Sequence, residues 1–435
     1  ETEVPEETEE TEATEEVTEP ESEAGETTEK PTEETAEPTE IGEEAEDEQV
    51  AAVAALIEAL PSVEELEGMT EEEQLAAYEQ IQGAFDAYDA LTDEQKTQIY
   101  GAEELFKLLE YYDSQISVEA SFCGTGTEGS PYLISTEEEL RQLAQDVENG
   151  STYVNECFQL ENDIDLTEEW IPIGTEQVVF RGSFDGNGHT ISNLSGTGEH
   201  LGLFAYVGGG AQITNVNVAD VRFEKGPFLA GIAAEVDTSE GDVLIQNCHV
   251  LSGSIKGIDD EDTVVKCLAG IVGNSSGDNK LRITDCSNSA QILAGSDSYT
   301  SSGIAGNVVD ATITRCANYG YVAGESDSGG ICGNAIHSSF IACVNYAKVT
   351  TYYGAGISDG NNNIFSNCLN VGMINNDSDG RGYPIGKLSA GNTYENCHYL
   401  KGCFRTYKFP QDSTQTGKEV TKEQLASGEA AYGLG

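Results

Sequence analysis

The side chains that could do chemistry in this chain are five histidines, eleven cysteines and a few acidic clusters. His189, His200, His249, His337 and His398 stand apart, and none falls in a His-Glu-x-x-His string, which excludes a zinc site of that kind. There is no Gly-x-Ser-x-Gly elbow and no Walker A loop. The candidate carboxylates are Asp163 and Asp165 in Asn-Asp-Ile-Asp, and Asp185 in Phe-Asp-Gly-Asn-Gly-His. Paired carboxyls of this sort could hydrolyse a polysaccharide, with their separation setting the mechanism, or hold Ca²⁺ beside a basic residue. The same strings are ordinary turn chemistry, since Asp-Gly and Asn-Gly favour tight turns. The acidic loops Asp259-Asp260-Glu261-Asp262 and Asp377-Ser378-Asp379 could take Ca²⁺ through oxygen ligands, but neither has calcium-loop spacing. No other cofactor is expected, and the chain is read as a non-enzyme.

The cysteines are odd in number, include no Cys-x-x-Cys pair, and follow a structural period. TISNLSG (from Thr190), QITNVNV (Gln212), LIQNCHV (Leu244), RITDCSN (Arg282), TITRCAN (Thr312), SFIACVN (Ser339), IFSNCLN (Ile364) and TYENCHY (Thr393) align with one another. Their fifth positions are Leu194, Val216, Cys248, Cys286, Cys316, Cys343, Cys368 and Cys397, spaced by 22 to 38 residues. Such a period, filled with short β-branched runs and glycine turns, predicts coils stacked on one another, with one side-chain column pointing inward at every level. A second column is Ile232, Ile271, Ile304, Ile331 and Ile357, each in a Gly-Ile motif whose glycines are expected to supply positive φ at corners. Asn288, Asn318, Asn345 and Asn370, two residues after successive cysteines, predict an amide ladder at a turn. Gln291, Tyr321, Lys348 and Met373 form a mixed outward column, and no Asp or Glu recurs at a fixed repeat position. Inward thiols pack as small hydrophobes and should be inert. Cys123 with Cys157, or Cys397 with Cys403, could instead form disulfides.

The elements that position these residues fall into regions. The formal net charge is −59, and residues 1–48 alone hold 22 Glu and one Asp against one Lys. That segment is expected to be a disordered acidic spacer. Residues 49–117 predict a three-helix bundle: Val53, Leu56 and Ile57 precede Pro61, then Leu75, Tyr78, Ile81, Phe85 and Tyr88, then Ile99, Leu105, Leu108 and Leu109. Thr70-Glu71-Glu72-Glu73 and Thr92-Asp93-Glu94-Gln95 fit capping boxes. Residues 120–410 read as a right-handed parallel β-helix, opened by an amphipathic helix that Ser135 or Thr136 caps with Glu139 and Asn149-Gly150 ends. Residues 411–435 read as a C-terminal cap or linker.

GTGTEGSPYLISTEEELRQLAQDVENG (Gly124–Gly150), NDIDLTEEWIPIG (Asn162–Gly174), FRGSFDGNGHTISNL (Phe180–Leu194) and GLFAYV (Gly202–Val207) resemble the GLUG-repeat β-helices of bacterial surface proteins. AYDALTDEQK (Ala87–Lys96) resembles the small helical modules of Gram-positive cell-surface proteins, and Thr416–Gly435 resembles the GLUG family's C-terminal cap. The resemblance implies a right-handed parallel β-helix with an N-terminal capping helix, exported and part of a cell-wall protein. Lyases and hydrolases of pectin-like polymers share that architecture, so a polysaccharide enzyme is one alternative and a passive spacer arm of a larger surface enzyme is another. The main expectation is a secreted or cell-wall-associated, adhesin-like module that binds or displays a glycan or host surface protein. Tyr319, Tyr321, Tyr346, Tyr352 and Tyr353 are its candidate sugar-stacking residues. The first residue is Glu, so a leader is expected to have preceded it, and with no Leu-Pro-x-Thr-Gly signal any anchor is expected elsewhere. Acidity argues against nucleic acid and anionic membrane as partners. No apolar run is long enough to insert in a bilayer, and a monomer is expected.

Overall fold

The computed structural model describes residues 41–66, 69, 71–115, 122–257, 266–295, 300–324, 326–375, 381–387, 391–404 and 416–428. Thr70 and both acidic loops, 259–262 and 377–379, lie outside the described residues, as do residues 1–40. The chain divides into two compact units, Glu1–Ile116 and Ser117–Gly435.

In the first unit α1 (Ile41–Glu58), α2 (Glu71–Asp89) and α3 (Ala102–Gln115) pack on one another. Their core is Val53, Ile57, Ala77, Ile81, Ala84, Leu105 and Leu108, joined by Leu66, Leu91 and Ile99 from the connections. The first helix begins at Ile41, inside the stretch to 48 that composition reads as disordered. Leu56, expected inward, is 47% exposed. Tyr78, Phe85 and Tyr88 are half-buried against the core. Thr92 and Gln95 form a reciprocal box, amide to side chain both ways, around the single turn Asp93–Lys96.

The second unit is mainly β: a parallel solenoid, six of whose described coils pass through five sheets in turn. Among the described residues these have ten, ten, seven, seven and six strands. Sheet one runs from Tyr132–Ile134 to Thr393–Glu395, and sheet two from Ile164–Asp165 to Lys418–Val420. Sheet three runs from Ser195–Gly196 to Ile374–Asn375, sheet four from His200–Leu201 to Arg381–Tyr383, and sheet five from Phe204–Gly208 to Ser358–Asn361. Side chains alternate across a strand, so each sheet sends one column inward. Sheet one contributes Phe158, Phe184, Ile213, Ile245, Ile283, Ile313, Phe340, Phe365 and Tyr394 in unbroken register. The last three rings stack at 5.0 and 4.9 Å between centroids. The first coil is closed by α4 (Glu137–Glu148), which buries Leu140, Leu143, Ala144 and Val147 beneath a Thr136/Glu139 capping box. At the other end Lys418–Val420 adds a strand to sheet two, and Thr421 with Gln424 caps α5 (Lys422–Ala426).

Val216, Cys248, Cys286, Cys316, Cys343, Cys368 and Cys397 occupy one buried column, each carbonyl accepting from the next coil. Leu194 is buried too, but not there. Thr190 pairs with Asn217 rather than Gln212, and Arg222 donates to Leu194 O, so Leu194 stands one corner further on, beside Val221. Both corners need a polar residue at positive φ followed by an inward apolar one: Asn193 at 61° and Asn215 at 54°. Local sequence therefore cannot tell the two corners apart.

All eleven cysteines are free. Cys397 stacks below Cys368, whereas Cys403 Sγ accepts from Asn370 Nδ2 at 3.4 Å. Separate columns keep those two thiols apart, and the expected disulfide is not formed. Cys157 Sγ bonds Ser183 in sheet one, while Cys123 is exposed beside Leu133, so that pair is unbridged as well.

Asn288, Asn318, Asn345 and Asn370 are fully buried in sheet two. Asn288 Nδ2 donates to Asn318 Oδ1, Asn318 to Asn345 and Asn345 to Asn370, at 3.1, 3.1 and 2.9 Å. Each Nδ2 also donates to a carbonyl two residues on. Facing them are Gly270, Gly303, Gly330 and Gly356 of the Gly-Ile motif. None of these has positive φ; the positions that do are filled by other glycines and, among non-glycine residues, mainly by Asn and Asp. These glycines are required for space, because a Cβ on Gly303 would land on Asn318 Cγ and one on Gly330 would land on Asn345 Cγ.

Two outcomes test this packing. Gly303→Ala and Asn318→Ala should each lower unfolding free energy by about 2–3 kcal/mol, one by overpacking and one by orphaning buried amide partners; denaturant titration of each reads this out, and a change under about 0.5 kcal/mol would contradict the close approach. An Ellman-type thiol titration should find Cys123 and then Cys157 in the native protein, with the nine buried thiols reacting only on unfolding.

Candidate functional site

The expected candidates are dispersed. Asp163 accepts from the amide of Thr190 at 2.9 Å and faces His189, while Asp165 accepts from Asn193 Nδ2. Asp185 accepts from Asn187 N and Asn215 Nδ2. All three fasten the positive-φ corners around sheets one and two. Tyr319 and Tyr346 stack in parallel on one exposed corner, 5.0 Å apart, and Tyr321 lies under Lys348 Nζ at 5.8 Å. Tyr352 and Tyr353 meet edge to face elsewhere, at the start of a sheet-four strand.

What the fold does bring together is an outer groove where sheets four and five meet. It contains adjoining hollows of about 420 Å³ and about 430 Å³ that share Phe228 and Lys266. One wall is the outward row of sheet five: Tyr206, Glu235, Asn274, Asn307, Asn334 and Asp359, aligned coil by coil. The other is the outward row of sheet four: His200, Phe228, Cys267, Thr300 and Asp327, continued by Tyr353. The first row is not apparent as a charge pattern. Its signal is an offset: Glu235, Asn274, Asn307 and Asn334 each stand three residues after the motif isoleucine, as Tyr206 does after Leu203.

Hydrogen bonds link the row along the solenoid. Asn334 Nδ2 donates to Asn307 Oδ1 at 3.0 Å, Asn307 to Asn274 Oδ1 at 2.8 Å, and Asn274 to Glu235 Oε2 at 2.8 Å. His200 Nε2 lies 3.7 Å from Glu235 Oε1, and the Tyr206 hydroxyl is 3.0 Å from the same nitrogen. Burial lowers the His200 pKa and raises that of Glu235, leaving the imidazole neutral at neutral pH. Burial also pushes Tyr206 and Cys267 up to about 12, so Cys267 presents a thiol and no nucleophilic thiolate. At the far end Asp359 is buried with Lys387 Nζ 3.6 Å away, and Asp327 is raised by burial and then by Asp359.

Glu235 and Asp327 are three coils apart, roughly 14 Å at the spacing of parallel strands. Paired carboxyls of glycoside hydrolases stand roughly 5–9.5 Å apart, so these two do not form such a pair. The groove offers hydrogen bonds along a line.

No protein-family profile matches the chain. A segment of 122 residues is 33% identical to a Gly-rich membrane protein, so named provisionally, of Evansella cellulosilytica. It covers 25% of this chain and 13% of that protein. Another of 115 residues is 35% identical to halomucin of Haloquadratum walsbyi, covering 24% of this chain and 1% of halomucin. The chain thus spans only a small part of either relative. A crystal structure from Bacteroides ovatus, named provisionally as an immunoglobulin A1 protease, superposes with a TM-score of 0.43 at 18% identity, over 71% of this chain and 89% of that one.

The charge at the groove end is testable. Asp327 holds its proton more tightly in the folded state, so its ionisation costs stability as pH rises through the raised folded value. Below the ordinary carboxyl value of 3.8 both states are protonated and the cost disappears. Asp327→Asn should therefore melt a few degrees higher than wild type at neutral pH, with the gain lost in melts below that value.

Proposed function

We propose that this chain is a secreted or cell-wall-associated surface protein whose solenoid binds a glycan or host protein, in the manner of an adhesin. The observation that carries the reading is the open groove, with a continuous outward row of amides from Asn274 to Asn334. An extended polymer matches a row that offers the same group on successive coils. The resemblance of the chain's strings to GLUG repeats and of Ala87–Lys96 to Gram-positive surface modules supports a surface setting, and so do the names of the two relatives, over the short segments that match. Among the described residues no helix is long and apolar enough to cross a membrane. Function inferred from architecture is analogy, so the groove's own chemistry bears the weight.

The test is an array of glycans and host surface proteins probed with the full chain, with and without Ca²⁺, and with product analysis of every hit. Selective retention of a ligand that is recovered intact is the expected result. Cleavage of the ligand would replace this reading with a polysaccharide enzyme, and no retention at all would leave a passive spacer arm.

A further inference from the structure

We infer that the outer row of Asn274, Asn307 and Asn334 is a binding site for a neutral, linear glycan lying along the solenoid axis, one sugar per coil. The inference rests on the binding reading above and narrows it to a ligand class and a place. A primary amide has two N–H donors and two acceptor lone pairs. Asn307 spends one donor on Asn274 and accepts one bond from Asn334, and Asn274 is used in the same way between Glu235 and Asn307. Each of these half-buried amides keeps one N–H and one lone pair, and Asn334 Oδ1 has no hydrogen-bond partner among the described residues. A donor beside an acceptor complements neighbouring sugar hydroxyls, each of which can both give and accept a hydrogen bond.

The repeat selects among polymers. Coils stack at about 4.8 Å, close to the advance of one pyranose ring in an extended chain. A peptide strand laid along the same line repeats every two residues, at about 6.6–6.8 Å, and falls out of step within two coils. Charge selects further. The chain carries −59, and Glu235 and Asp327 face this groove against Lys266, so a polyanion is repelled. Across the groove Thr300 and the neutral Cys267 add no charge.

The experiment titrates the full chain with cello-, xylo-, manno- and N-acetylchito-oligosaccharides, from dimers to octamers, with polygalacturonate as the anionic probe. At least one neutral series should bind, with affinity rising until the ligand spans the coils from Glu235 to Asp327, about four sugars at one per coil, and levelling after that. Asn307→Ala should weaken binding about five- to tenfold, the weight of a hydrogen bond or two, with circular dichroism unchanged. Tyr100→Ala, exposed in the helical unit, should leave affinity as it was. Should Asn307→Ala fail to fold, Asn334→Ala at the end of the row gives the same readout. Preference for polygalacturonate, or undiminished binding by a folded row variant, would overturn the inference while a ligand bound elsewhere kept the adhesin reading alive. No binding by any member of the glycan and host-protein arrays would end both.

Discussion

The contact that shapes this molecule is the close approach of a glycine column to a buried amide column across the core. Gly270, Gly303, Gly330 and Gly356 stand between sheets four and five, where any Cβ would strike Asn288, Asn318, Asn345 or Asn370 of sheet two. In the coil before them the same relation holds between Gly231 and Val250. The corner between the two sheets is therefore drawn inward, and the outer surface over it is concave. The groove follows from the interior packing: sheets four and five form its walls because glycine at the corner lets the backbone come in. A larger residue there would push the corner outward and flatten the groove.

Two amide ladders flank that corner, and they run in opposite senses. The inner one points its N–H groups toward later coils and ends on Cys403 Sγ; the outer one points them toward earlier coils and ends on Glu235. Burial separates their roles. The inner amides are wholly inaccessible and spend their second donors on backbone carbonyls of their own turns, as a buried polar group must. The outer amides are half exposed, and water or a ligand satisfies what the ladder leaves over. Similar side chains in similar stacks are thus fully satisfied on one side of the backbone and left with spare donors and acceptors on the other.

The solenoid was legible because its inward columns repeat whatever the length of the turns between them. Isoleucine after glycine, and cysteine after a corner residue, mark each coil on their own. The reason for the glycines was not legible: a glycine chosen for positive φ and one chosen for close approach look alike in sequence, and only the facing asparagine distinguishes them. Leu194 was misplaced by the same kind of degeneracy, since Asn193-Leu194 and Asn215-Val216 meet identical local demands at different corners. The acidic candidates Asp163, Asp165 and Asp185 read as turn residues in sequence; Asp165 and Asp185 end strands and Asp163 precedes one, and all three accept hydrogen bonds from neighbouring corners. The groove row was hidden by variable coil length. From Glu235 to Asn334 its steps are 39, 33 and 27 residues, and only the constant offset from the motif isoleucine reveals it.

That offset also bears on what the groove acids do. A half-buried carboxylate close to a histidine and a tyrosine invites a catalytic reading, and perturbed groups do gather at active sites. Glu235, however, has one oxygen committed to Asn274 Nδ2, and that bond terminates the whole outer ladder. A ladder of amides donating in one direction needs an acceptor at its end, and a carboxylate is the strongest one available to a protein. The same bond lowers the cost of the charge that burial raises. To act as a base in turnover, Glu235 would have to take up a proton and weaken the bond on which the alignment of Asn274 and Asn307 depends. The geometry thus accounts for the acid as the anchor of the amide row, and the burial that perturbs it comes with its position at the head of the groove.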